Sequence, residues 1–181
     1  MYEEYINDYA LAAVPDYYAQ SQIFNSYKER INIALSHSYF AAGNLLINCA
    51  KWRKENILGK LLTVASNANE YYKHNDQDVL NVVFQNNYQK LPYRYCFCIA
   101  NCVNTPDDND IIIRHFNSPI KPWHINPDTK TNLMPHLIEF WKYAIMTEFY
   151  DELIFQTKDQ QKQQDILRQL RVINMVSKVS V

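Results

Sequence analysis

Glycine is nearly absent: Gly43 and Gly59 are the only two among 181 residues. No glycine-rich phosphate loop can be assembled from them, which removes the P-loop and the G-x-G-x-x-G dinucleotide folds. A surplus of positive charge is missing as well. With a formal net charge of -1 the chain lacks the basic excess that phosphate-backbone contacts need, so no nucleic-acid partner is expected. No run approaches the roughly 18 to 20 apolar residues that a membrane span requires. Cys49, Cys96, Cys98 and Cys102 form no C-x-x-C pair and no second cluster at zinc spacing. The start of the chain, Met1-Tyr2-Glu3-Glu4-Tyr5, is acidic and aromatic rather than a secretory signal. Reduced, buried thiols in a cytoplasmic protein are therefore the expectation.

What remains is globular composition, 48% hydrophobic and 20% charged, in a length that suits one core. Strands are expected at Tyr9 to Val14, within Tyr39 to Asn48, at 93–99 and at 111–116. Residues 17–38 read as a loop with a short helix. Helices are expected at Cys49 to Ile57, with Trp52 facing in, at Leu58 to Tyr72, from Asp76 through Phe84, and at His136 to Met146. The turn-rich run Asn104 to Asp110 separates two of the strands. Strands and helices intermix, which makes the class α/β. The expected organisation is a partial domain over 1–150 and a helical tail over 151–181.

The run Ile111-Ile112-Ile113-Arg114-His115-Phe116-Asn117-Ser118-Pro119-Ile120-Lys121-Pro122-Trp123 carries the chemistry. β-branched residues read as a buried strand that delivers His115 to its end. A neutral imidazole can bind a divalent cation, and an ammonium nearby can neutralise a phosphate. Pro119 and Pro122 restrict the loop that holds Lys121. Elsewhere, Ala41-Ala42-Gly43 suits a place where backbone approaches a ligand closely or where a strand entry is tightly packed. Asp76-Gln77-Asp78 and Asn81 fit either a helix N-terminus or a pocket that binds hydroxyls. The triplets Asp76 to Asp78 and Asp108 to Asp110 both have D-x-D spacing; the second reads as a solvated turn.

Together these segments resemble family 8 glycosyltransferases, retaining enzymes that use nucleotide sugars. The strand ending in His115 before Lys121-Pro122-Trp123 is similar to that family's C-terminal signature. Tyr39-Phe40-Ala41-Ala42-Gly43-Asn44-Leu45-Leu46-Ile47-Asn48 with Lys51-Trp52-Arg53 is similar to its Y-F-N-A-G-V-L-L-I-N…K-W-R segment. Asp76-Gln77-Asp78 with Leu80-Asn81 resembles its D-Q-D-x-L-N element. The resemblance implies a GT-A-like α/β fold with a mixed sheet and flanking helices. It also implies hexose transfer from a UDP-sugar to a lipopolysaccharide or related glycan. By the same resemblance His115 would bind Mn²⁺, Lys121 the diphosphate, and Asp76 and Gln77 the transferred sugar. Ala42, Gly43 and the backbone of Ser118 would line the donor site, and Asp16 the acceptor side.

The resemblance runs from about Tyr9 to Phe149 and matches only the family's C-terminal portion. The D-x-D carboxylates that complete the metal site, and the half that binds the nucleobase, are expected outside this sequence. That half is supplied by another chain or has been lost from a truncated product. Two positions depart from the pattern: Ala41 replaces an asparagine that contacts the sugar, and Ser118 replaces a glycine. They leave open a second reading, a non-catalytic remnant that binds a protein or a glycan. Arg168, Arg171 and Lys178 among aliphatic residues of the tail would allow weak peripheral contact with the inner face of a membrane.

Overall fold

The structure is a computed structural model that describes Ile6, residues 8–98, 110–117, Lys121 and 134–149, the side chains of 134–138 excepted. It divides into two compact units, one within Met1–Phe97 and Asp107–His115, the other within Cys98–Pro106 and Phe116–Val181. In the first unit, β1 (Leu11–Pro15) is the middle strand of three. β2 (Phe40–Ile47) pairs with it antiparallel, Leu11 opposite Ile47 and Ala13 opposite Leu45, with a bulge between Ala13 and Pro15. On the other side β3 (Gln89–Lys90) runs parallel, Ala12 opposite Gln89. Leu11, Ala12, Ala13 and Val14 are all buried. Both faces of β1 are therefore covered, which explains an unbroken apolar run in place of alternation.

Between the strands the chain forms two 3-10 turns, Tyr18–Gln20 and Gln22–Phe24, and then α1 (Asn25–Arg30). After β2 come α2 (Cys49–Lys54), α3 (Ile57–Ser66) and α4 (Asp76–Val83). Asn48 caps α2 by accepting the Lys51 N–H, 3.1 Å, satisfying one of the free donors at a helix start. Trp52 packs on the core made by Leu11, Phe40, Ile57, Leu80 and Phe84, and its Nε1–H donates to the Ala10 carbonyl at 2.7 Å. With so little glycine, asparagine supplies the left-handed turns: Asn32, Asn56, Asn75 and Asn86 all have positive φ. Asparagine tolerates that region better than other side chains with a Cβ.

Several elements are shorter than the sequence pattern predicts. α3 stops at Ser66 instead of Tyr72, where the Asn67 side chain donates to the Thr63 carbonyl and Asn69 accepts the Tyr71 N–H. Such short amides compete with the helical ladder. At 93–99 the expected strand begins as a 3-10 turn, Tyr93–Tyr95, and only β4 (Phe97–Cys98) is extended. Pro92 sets its own φ, and its carbonyl accepts the Tyr95 N–H, which turns the chain. The isoleucine run is not itself strand. The N–H groups of Ile112 and Ile113 both donate to the Arg94 carbonyl, and Ile112 is half exposed. β5 is confined to Arg114–His115, in a two-stranded sheet with β4. Cys49 is exposed, contrary to the expectation of buried thiols, whereas Cys96 is buried.

In the second unit α5 (Met134–Ala144) buries Trp141, which meets Phe140 edge to face, as Phe140 does Phe116. The run Asn104 to Asn109, Ser118 and the tail 151–181 lie outside the described residues.

Candidate donor-sugar site

The site is assembled on the first half of β2. α4 is fixed against that strand by two carboxamides spaced one helical turn apart, so that they share a face. Asn81 is buried; its Oδ1 accepts the Phe40 N–H (2.8 Å) and its Nδ2 donates to the Phe40 carbonyl (2.9 Å). One turn earlier, Gln77 Oε1 accepts the Ala42 N–H at 3.1 Å, and its Nε2 donates to Asp16 Oδ2 at 3.3 Å. The backbone donor of Ala42 fixes which end of the Gln77 amide faces the strand. Asp16 follows β1 directly, and its other oxygen accepts the Tyr18 N–H at 3.0 Å.

Asp78 has a different task from its neighbours. It is fully buried, and it accepts from the Tyr39 hydroxyl (2.6 Å), the Tyr27 hydroxyl (2.6 Å) and the His74 N–H (2.8 Å). Burial, and then the bond to Asp78, push the Tyr39 phenol far above its ordinary range, so it stays a donor. A buried carboxylate with three donors is satisfied and holds the start of α4 in place. Asn75, by contrast, makes no side-chain cap to α4. Asp76 is exposed at that start.

His115 reaches the same strand through Gly43. A Cβ built on Gly43 would lie 2.0 Å from His115 Cε1 and within 2.6 Å of both ring nitrogens. No side chain fits there, so glycine is required by space at this position. Asp16, Gln77, Ala42, Gly43 and His115 are thereby brought together, because Ala42 and Gly43 are adjacent. Ala41, just before them, is buried. Lys121 belongs to the second unit, where its Nζ donates to the Phe116 carbonyl at 2.6 Å. Ser118 lies outside the described residues.

The family resemblance implies a divalent cation at His115. The imidazole, half-buried and held edge-on against Gly43, fits as one ligand. Among the described residues, no group of three or more candidate ligands that includes His115 contains a carboxylate. The hard-ligand part of such a site is thus not supplied by them. Sequence reasoning missed the positioning roles of Asp78 and Asn81. The signal for Asn81 was its spacing, four residues from Gln77 and three from Asp78, which makes it a neighbour of both on the helix surface.

Residues 1–126 match the family described as glycosyl transferase family 8. The chain belongs to that family. It is 33% identical over 129 residues to a putative glycosyltransferase of Haemophilus influenzae, a match covering 66% of this chain and 37% of the relative. With glycosyltransferase GlyF of Streptococcus pneumoniae the identity is 29% over 166 residues, covering 88% of this chain and 37% of the relative. Lipopolysaccharide 1,3-galactosyltransferase of Salmonella typhimurium is 31% identical over 98 residues, covering 50% and 29%. Among solved structures, the galactosyltransferase LgtC in complex with donor and acceptor sugar analogs superposes with a TM-score of 0.57 at 26% identity. That match covers 76% of this chain and 52% of LgtC. The mixed sheet with flanking helices is the GT-A-type α/β architecture. The chain spans 37% of the length of the first two relatives. No helix among the described residues is long and apolar enough to cross a membrane.

Proposed function

We propose that this chain forms the acceptor-side and sugar-side portion of a retaining hexosyltransferase that uses a UDP-sugar donor and Mn²⁺. The acceptor is a lipopolysaccharide or a related glycan, as the kinship with lipopolysaccharide glycosyltransferases suggests. The observation that carries this reading is the continuity of β2. Ala42 is bonded to Gln77, Gly43 lies against His115, and the two are neighbours in the chain. Gln77, the proposed sugar-binding group, and His115, the proposed metal ligand, thus meet adjacent residues of one strand.

Gln77, through its amide N–H groups, and Asp76 would bind hydroxyls of the transferred sugar, and the Asp76 oxygens would face positive charge as it develops at the anomeric carbon. Ala42 and Gly43 would line the donor site, Ala42 as a small residue beside Gln77 and Gly43 by making room for the His115 ring. Asp16, tied to Gln77, would accept a hydrogen bond from the incoming glycan hydroxyl. Lys121 and the Ser118 backbone would contact the diphosphate, and His115 would ligate the cation. A divalent cation held by His115 would supply neutralising charge for the departing diphosphate. The D-x-D carboxylates and the nucleobase site belong to polypeptide outside these 181 residues, in the same chain or a partner.

Calorimetric titration of UDP into the chain, with and without Mn²⁺, tests this. Metal-dependent binding that His115→Ala abolishes is the expected result. Binding that ignores the metal or the substitution removes His115 from the site. No binding by the folded chain overturns the reading that these residues form a usable half-site.

A further inference from the structure

Behind His115 lies a group that the proposed reaction does not use. Cys96 Sγ is 3.6 Å from His115 Nδ1, and Cys96 is fully buried. The same sulfur receives the Asn44 side-chain amide, Nδ2 to Sγ 3.3 Å. An amide N–H can only donate, so the sulfur acts as an acceptor there. Gly43 lies against Cε1, the ring carbon between the two nitrogens. Nδ1 is therefore the nitrogen on the sulfur side, and Nε2 points along a different direction.

An imidazole ligates a cation through an unprotonated nitrogen, and the partner of the other nitrogen decides which one that is. In water, neutral histidine prefers its proton on Nε2, the wrong nitrogen for an Nε2 ligand. A sulfur that already accepts from Asn44 is suited to accept from Nδ1–H as well. We propose that Cys96 is a positioning residue for His115: its sulfur takes the Nδ1–H bond, fixing the tautomer in which Nε2 carries no proton and can serve as the ligand atom. This rests on the reading of His115 as a metal ligand. The sulfur takes the place that a carboxylate or carbonyl usually fills behind a ligating imidazole.

The test is long-range ¹H–¹⁵N NMR of the ¹⁵N-histidine-labelled chain near pH 8, with His115 assigned by His115→Ala. The expected result is a protonated Nδ1 and a bare Nε2 in the parent chain. In Cys96→Ala the proton should move toward Nε2, and Mn²⁺ affinity should fall by roughly tenfold or more. Cys96→Ser, whose hydroxyl also accepts, should restore part of both effects and guards against a simple packing defect. A parent chain with its proton on Nε2, or a tautomer unchanged by Cys96→Ala, overturns the proposal. A sulfur-to-metal charge-transfer band on adding Co²⁺ also overturns it, because Cys96 would then be a ligand. Mn²⁺ that leaves the His115 resonances sharp overturns the ligand reading instead, separately from the tautomer.

Discussion

Gly43 shows how a single hydrogen in place of a methyl group can hold a site open. The space above its Cα is filled by the His115 ring, with Cε1 2.0 Å from where a Cβ would sit. Gly43→Ala must therefore push the imidazole aside, since a contact under 3.0 Å is not tolerated. Gly43 is itself exposed, and alanine reduces the freedom of the unfolded chain. The expected outcome separates function from stability: metal-dependent UDP binding weakened at least about tenfold by displacement of the ligand, with unfolding free energy within about 1 kcal/mol of the parent. Calorimetry and urea denaturation of the same sample check both halves. Gln77 is the matching case among polar residues. Its two amide ends serve β2 and Asp16 at once, so it ties α4 to both.

At the scale of elements, β2 is the piece that organises the site, and its two edges differ. The Asn48 N–H donates to the Ala10 carbonyl, which makes that pair a hydrogen-bonded one. Antiparallel pairs alternate, so Ala12 with Leu46 is bonded, while Leu11 with Ile47 and Ala13 with Leu45 are not. The N–H groups of Leu45 and Ile47 thus face away from β1, toward the edge of β2 that no strand pairs among the described residues. Amide hydrogen exchange should show Leu46 slow and Leu45 and Ile47 fast in the chain alone. Equal protection across the three would mean that the outer edge is covered. A strand edge of this length with Leu45 and Ile47 on it is a surface that another strand can extend.

On the largest scale, the first unit holds a buried polar network that joins α1, α4 and the start of β2. His37 is 1% exposed; its Nδ1 accepts the Asn86 N–H at 3.0 Å, and its Nε2–H faces Asn81 Oδ1 at 2.9 Å. A backbone N–H on Nδ1 leaves no place for a second proton. Burial accordingly holds the His37 pKa below its ordinary value of 6.5. The unfolded chain then binds a proton that the folded one refuses, so stability is complete above about pH 6.5 and declines as pH falls toward the lower folded value. The slope from one such group reaches at most about 1.4 kcal/mol per pH unit. Urea denaturation between pH 5 and 8 should show this loss, and His37→Gln should flatten that part of the profile. An unchanged slope in the variant would place the proton uptake elsewhere.

Much of this was legible in one dimension. Local sequence determined that Leu11 to Val14 would be a strand, that Asp76 would open a helix, and that His115 would sit at a strand end. The first two follow from an apolar run and from side chains that favour helix starts, whereas the β-branched residues before His115 are not themselves strand. Three matching segments also determined the family, because their residue types and order are specific when taken together. Element lengths needed the tertiary structure. The Arg94 carbonyl captures Ile112 and Ile113, and Pro92 turns the chain before Cys96. These are long-range or geometric events that periodicity does not encode. Only the fold, too, showed that Gln77 is bonded to Ala42, that Gly43 makes room for His115, and that Cys96 stands behind that ring. Residues so far apart in sequence meet because β2 pairs with β1 and receives α4, and no local propensity specifies such a meeting.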